Sequence, residues 1–166
     1  MKAIVFENYG DASVMTVGET PTPTITDDEV LIKVAAAGIN RPDILQRQGG
    51  YPPPKGASKI LGLEVSGVII AIGKNISQNF LNKEVCALVT GGGYAEYAKT
   101  TLATVLPIPQ GIKLYEAAVI PETFFTVWTN LFDSGSLATN ETLLIHGGAS
   151  GIGITAALIA KALGIK

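Results

Sequence analysis

The residues whose types and spacing suit chemistry fall in two places, and the sharper of the two is Gly147-Gly148-Ala149-Ser150-Gly151-Ile152-Gly153-Ile154-Thr155-Ala156. Gly151, Gly153 and Ala156 follow the spacing G-x-G-x-x-G/A, in which glycines make a tight turn and keep side chains off a backbone that a pyrophosphate must approach. N–H groups at a helix start have no partner within the helix and carry partial positive charge, so Gly148, Ser150, Gly151, Ile152 and Gly153 form a candidate dinucleotide cradle. Two glycines in a turn also occur without any ligand. What points to a cofactor here is the flanking pattern: Thr142 to Ile145 reads as a buried strand, and Ile154 to Leu163, free of Gly and Pro, as a helix. An acidic residue about twenty positions on, which would touch a ribose, falls beyond Lys166.

The second place is Gly38-Ile39-Asn40-Arg41-Pro42-Asp43. Pro42 suits the first turn of a helix, where its fixed φ and missing N–H do no harm, so a short helix is expected from Arg41 through Gln48, ended by Gly49-Gly50. Asn40 either caps that helix or turns its amide, donor and acceptor at any physiological pH, toward a ligand; the residues alone leave both open. Asp43 is a first-turn acid that favours the helix dipole or supports the loop. Tyr51, before Pro52-Pro53-Pro54 on stiff extended backbone, offers a ring face and a hydroxyl to a planar carbonyl compound, or simply packs. Metal chemistry has little to work with. His146 is the only histidine and reads as a structural residue beside the glycine turn, while the only cysteine, Cys86, lies in an apolar run and reads as a small buried residue.

Around these stretches the chain must supply elements that hold them. Strands are expected at Lys2 to Phe6, Glu29 to Ala37, within Ile60 to Gly73, and at Val85 to Val89, Tyr94 to Ala98 and Thr104 to Ile108. Short strands at this spacing indicate an antiparallel, barrel-like domain. From Pro121 the pattern changes to a helix over Glu122 to Phe132, stopped by Asp133-Ser134-Gly135. With 166 residues, 47% hydrophobic and 16% charged, the chain is globular, and a net charge of −2 without a basic block argues against nucleic acid or an anionic membrane as its main partner. No apolar run approaches a membrane span and no signal-peptide core stands at the N-terminus, so a cytoplasmic protein is the simplest reading.

Gly38-Ile39-Asn40-Arg41-Pro42-Asp43, Gly50-Tyr51-Pro52-Pro53-Pro54, Gly62-Leu63-Glu64-Val65-Ser66-Gly67 and Gly148-Ala149-Ser150-Gly151-Ile152-Gly153 together resemble the zinc-independent quinone oxidoreductase, or zeta-crystallin-like, branch of the medium-chain dehydrogenases/reductases, in order along the whole chain. The resemblance implies an α+β fold. A GroES-like, partly open β-barrel over residues 1–120 would carry the substrate side, and residues 121–166 would be the first strand, turn and helix of a truncated Rossmann domain. It also implies NADPH as cofactor and hydride transfer to a quinone or related enone without zinc. Zinc alcohol dehydrogenases of the superfamily place a thiolate near Gly38 and a histidine near Leu63; both are absent here, as is any set of four cysteines.

On the same grounds Asn40 belongs beside the nicotinamide or the substrate carbonyl, and Tyr51 is a site residue, with proton delivery from it or from water left open. Asp43 supports the loop, and Thr126 in Phe124-Phe125-Thr126-Val127-Trp128 lies beside the nicotinamide, with Phe125 and Trp128 read as core. Glu64, the one acid kept from the metal-binding pattern, is expected in a buried hydrogen bond or ion pair. The chain reads as the N-terminal half of an oxidoreductase whose open strand edges and apolar helix faces invite a homodimer or a complementary chain. Two alternatives stay open: a fragment of a zinc-free 2-enoyl-thioester reductase, and a non-catalytic fragment that needs a complementary chain.

Overall fold

The computed structural model describes all residues from Met1 to Lys166. Its strands are β1 (Lys2–Val5), β2 (Thr16–Glu19), β3 (Glu29–Ala37), β4 (Glu64–Ile72), β5 (Glu84–Leu88), β6 (Tyr97–Thr101) and β7 (Val105–Pro107), and its helices α1 (Arg41–Arg47), α2 (Pro121–Trp128) and α3 (Gly151–Ala162). Alternation builds the centre: Val30 and Ile32 of β3, Val65 and Ile69 of β4, and Val85 and Ala87 of β5 point to one buried face, where Ala98 of β6 and the loop residues Ile76 and Val89 join them. The resulting sheet runs β6-β3-β4-β5-β7, with every pair antiparallel. Register slips against β4 between Leu31 and Ile32 and between Val34 and Ala36 mark bulges, which bend a strand and increase its twist. The sheet therefore curls into a half-barrel, the GroES-like form that the resemblance implied, in a mixed α+β chain.

Two strands differ from the sequence pattern. Residues 94–96 do not belong to β6 but pair with β1: Ile4 N–H donates to the Tyr94 carbonyl at 2.8 Å and Glu96 N–H to the Lys2 carbonyl at 3.1 Å. The chain passes onto β3 at Glu96, whose carbonyl accepts from Val34 N–H at 2.9 Å, and is laddered there from Tyr97. The expected strand at Thr104 to Ile108 opens instead as a 3-10 turn over Leu102–Thr104 and leaves β7 as three residues. β2, whose side chains are mostly exposed, gave no periodic signal and forms a separate two-stranded ribbon with β1. Cys86 is fully buried and unpaired, as its apolar neighbours predicted.

The chain divides into two compact units, Met1–Pro121 and Glu122–Lys166. In the second, α2 ends at Trp128 rather than Phe132, and the chain widens into π-type turns over Thr129–Ser134, with Asn130 Nδ2 donating to the Thr126 carbonyl at 2.8 Å. Trp128 is not core: it is 50% exposed and stacks on Phe132 at 4.6 Å, while Val127 takes the buried position. The expected buried strand over Thr142 to Ile145 is likewise corrected. It joins no ladder, Leu144 is 79% exposed, and His146 is exposed rather than structural. The segment's backbone pairs only with Lys166, four residues after α3: Leu143 N–H donates to the Lys166 carbonyl at 2.7 Å and Lys166 N–H to the Glu141 carbonyl at 3.3 Å, the slanted pattern of a parallel pair. No helix is long and apolar enough to cross a membrane.

Candidate functional site

In the first unit the site begins at the start of α1. Asp43 is 2% exposed, and its carboxylate accepts three hydrogen bonds: Oδ2 from Asn40 N–H at 2.8 Å and from the Tyr94 hydroxyl at 2.9 Å, Oδ1 from Gly62 N–H at 3.0 Å. One carboxylate thus ties the helix start, the loop before β4 and the bend after Gly93 to one point. Burial pushes the Tyr94 phenol well above the ordinary tyrosine range, and the charges of Asp43 and Glu64 push the same way, so Tyr94 is held as a donor.

Asn40 stands at the N-cap with extended backbone, and the reach-back bond at this helix start comes from Asp43. The Asn40 side chain faces the Asp43 N–H in a capping-box arrangement, and the nitrogen end of its amide reaches β4: Nδ2 donates to Glu64 Oε1 at 2.8 Å. Glu64, the first residue of β4, is 2% exposed, so the expected buried hydrogen bond is present. Its carboxylate lies over Gly38. A β-carbon at position 38 would come within 2.6 Å of Glu64 Cδ and 2.7 Å of Cγ, closer than real carbon contacts allow, so only glycine leaves that space free. Asn40, Asp43, Glu64 and Tyr94 therefore form one connected cluster. Tyr51 is not drawn into it: the residue is 44% exposed in the proline-rich loop and makes no hydrogen bond to these four.

In the second unit Ser150 caps α3, its Oγ accepting from Gly153 N–H at 3.0 Å. That bond, and the one from Ile154 N–H to the Ser150 carbonyl at 2.8 Å, leave the N–H groups of Gly151 and Ile152 as the helix-start donors for an anion. The tight approach is at Gly153, where a β-carbon would meet the Gly147 carbonyl oxygen at 2.5 Å and Gly148 Cα at 2.6 Å. Gly148 faces open space, and Gly151 is open apart from Thr123 Cγ2 at 3.4 Å. Ala156 is buried, as the packing position of the motif requires. Thr126 is half-buried, one turn along α2 from Thr123. The residues fit a pyrophosphate by the open backbone at Gly148 and Gly151 and the two remaining donors.

No three His, Cys, Asp or Glu side chains converge on one point. Sequence reading missed Tyr94, which lies 51 positions from Asp43 and is joined to it only by the fold. The tie from Glu64 to Asn40 had a signal, since Glu64 is the one acid in a strand of mostly apolar residues.

Comparison with known proteins agrees with this architecture. The family model for the alcohol dehydrogenase GroES-like domain matches residues 26–110. The chain is 34% identical over 168 residues to the quinone oxidoreductase of Sus scrofa, a match that covers 100% of this chain and 51% of that protein. Its backbone superposes on the crystal structure of CurK enoyl reductase with a TM-score of 0.87 at 29% identity, covering 99% of this chain and 52% of that one. For the quinone oxidoreductase from Coxiella burnetii the TM-score is 0.85 at 29% identity, over 100% of this chain and 55% of that one. The chain thus spans about half the length of these relatives. With a curled antiparallel half-barrel and a matching family model across its centre, the chain belongs to the alcohol dehydrogenase GroES-like domain family of the medium-chain dehydrogenases/reductases.

Proposed function

We propose that this chain supplies the substrate-side domain and the opening of the nucleotide-binding domain of an NADPH-dependent oxidoreductase that reduces quinones or related enones without zinc. The observation that carries the reading is the Asn40 amide held on a buried carboxylate, in the place where zinc-binding members of the superfamily present metal ligands. Zinc needs three or four S, N or O donors at one point, whereas Gly38 has no side chain, Leu63 is apolar, and the Glu64 carboxylate is engaged with Asn40. Bound NADPH would supply the hydride. The chain's own residues then have to orient and polarise an acceptor that is electrophilic already, because its carbonyl is conjugated.

Gly151 and Ile152 would receive the pyrophosphate on their N–H groups, and the Thr126 hydroxyl would meet the nicotinamide amide. Asn40 would hold the nicotinamide carboxamide or the substrate carbonyl, with Asp43 fixing the loop that carries it. Tyr51 would cover the planar acceptor with its ring, and its hydroxyl or water would deliver the proton to the reduced oxygen. The similarity to CurK enoyl reductase favours a second reading, a 2-enoyl-thioester reductase built on the same cluster.

Titration of the 166-residue chain with NADPH and NADH, followed by quenching of Trp128 fluorescence, tests the cofactor assignment. Saturable binding with NADPH preferred supports it, with a second copy or a complementary chain completing the site. Turnover of quinones against enoyl thioesters by the protein expressed from its natural gene separates the two readings. An exclusive preference for thioesters would overturn the first, and zinc-dependent activity would overturn both.

A further inference from the structure

We infer that Glu64 is a positioning residue for Asn40, seated in space that only a glycine at position 38 leaves open, and that this pair sets which way the Asn40 amide faces. The inference rests on the reading of Asn40 as a ligand-facing residue and adds the device that orients it. An asparagine amide has two ends of nearly equal shape, so its orientation is fixed only by what its neighbours can donate or accept. A carboxylate oxygen offers the amide an acceptor. With Glu64 Oε1 at 2.8 Å, the nitrogen end of Asn40 is turned inward, and its carbonyl oxygen and second N–H are left in defined places.

Both partners are restrained. Glu64 is buried at the first residue of β4, where the ladder fixes its backbone opposite Leu88, and Asn40 is pinned through its own N–H to Asp43. The third element is Gly38, the residue after β3 ends, whose N–H donates to the Glu64 main-chain carbonyl at 3.2 Å. Because a β-carbon there would overlap the Glu64 side chain, a methyl group at 38 must displace the carboxylate from Asn40. Gly38 and Glu64 are thus one device: the absent side chain makes room for the orienting one.

A double-mutant cycle on quinone reduction tests this, run with the protein expressed from its natural gene and with thermal unfolding of each variant as the check on folding. Asn40→Ala is expected to lower kcat/KM by about tenfold or more, the scale of one lost hydrogen bond to a reacting partner. Glu64→Gln keeps the shape but can donate as well as accept, so it permits the flipped amide and also lowers kcat/KM; Gly38→Ala does so by displacement. In the Asn40→Ala background, neither change should lower it further. In nitrogen-15 spectra the Asn40 side-chain NH2 signal, shifted by the carboxylate, should move in Glu64→Gln with other amides unmoved. Penalties that add on the Asn40→Ala background would overturn the role of Glu64 while leaving the reading of Asn40 intact. An Asn40→Ala variant with unchanged kcat/KM would overturn that reading and the inference with it. Should Gly38→Ala fail to fold, the Glu64→Gln arm decides alone.

Discussion

Asp43 ties three parts of the first unit to one side chain. Replacing it with alanine leaves Asn40 N–H, Gly62 N–H and the Tyr94 hydroxyl without their acceptor. Bonds to a buried charge are among the costly ones to lose, so Asp43→Ala is expected to lower the unfolding free energy by about 3 kcal/mol, and Tyr94→Phe by about 1 kcal/mol, in urea titrations. An Asp43→Ala loss no larger than that of Tyr94→Phe would mean the carboxylate is not the joint. The same pair makes a pH prediction. Folding raises the Tyr94 pKa above the ordinary value of 10.0, so an unfolded chain releases this proton first. The contribution is fully present below that value and is lost as pH rises from it through the higher folded value. Alkaline titration of stability should therefore fall less steeply in Tyr94→Phe than in the parent. Cys86 behaves similarly and for the same leading reason: burial pushes its thiol up to about 11, with the charge of Glu64 adding to the shift. Iodoacetamide at mildly alkaline pH is expected to leave the folded chain unmodified and to alkylate it once urea unfolds the sheet, as mass spectrometry would report.

At the scale of elements, the start of α3 separates two glycines that share a motif but not a constraint. Gly153→Ala would drive a β-carbon against the backbone of its own turn, whereas Gly151→Ala meets only Thr123 at an ordinary distance. Alanine inside a helix is favoured over glycine by about 1 kcal/mol, so Gly151→Ala should hold or raise the melting temperature of the second unit while weakening NADPH binding, since its methyl group shields the anion donors. Gly153→Ala should lower both, and equal melting temperatures for the two variants would contradict this geometry. The sequence made the motif legible, though it could not say which glycine was sterically required. α1, β3 and β4 were legible for physical reasons as well: Pro42 and Gly49 bracket the helix, alternation with a buried face marks β3, and a run of β-branched residues marks β4. β2 was not legible, because a ribbon that buries little imposes no pattern. Residues 142–145 were over-read, because apolar composition states a tendency to pair and the pairing partner decides whether a ladder forms.

Across the whole molecule, the two units are built on different principles, and this decides what the sequence could reveal. In Met1–Pro121, five antiparallel strands close a core whose Val30, Ile32, Val65, Ile69 and Ala87 are almost wholly buried, so each strand is held by sequence-distant neighbours. Glu122–Lys166 has most of α2, the π-type turns after it, α3 and one incipient parallel pair, and it leaves Leu144, Ile154, Leu158 and Leu163 about half exposed or more. Apolar spacing suggested regular elements in both units alike, since periodicity records what each segment can bury and not what lies against it. The link from Asp43 to Tyr94 was invisible for the same reason: it exists only once β1, residues 94–96 and α1 have been brought together. Stability should follow this division, because local opening costs least where few ladder bonds and buried side chains must be broken. Native-state hydrogen exchange of the chain alone is expected to show β3 and β4 amides exchanging only by unfolding of the first unit, while those of residues 142–146 exchange close to the unfolded rate. Protection of residues 142–146 that grows with protein concentration would identify a second copy as the strand partner, since pairing between copies obeys mass action. Protection equal to that of β3 at every concentration would mean that the second unit is held by more than the Glu141–Lys166 and Leu143–Lys166 bonds, and the division into a stable and a labile unit would fail.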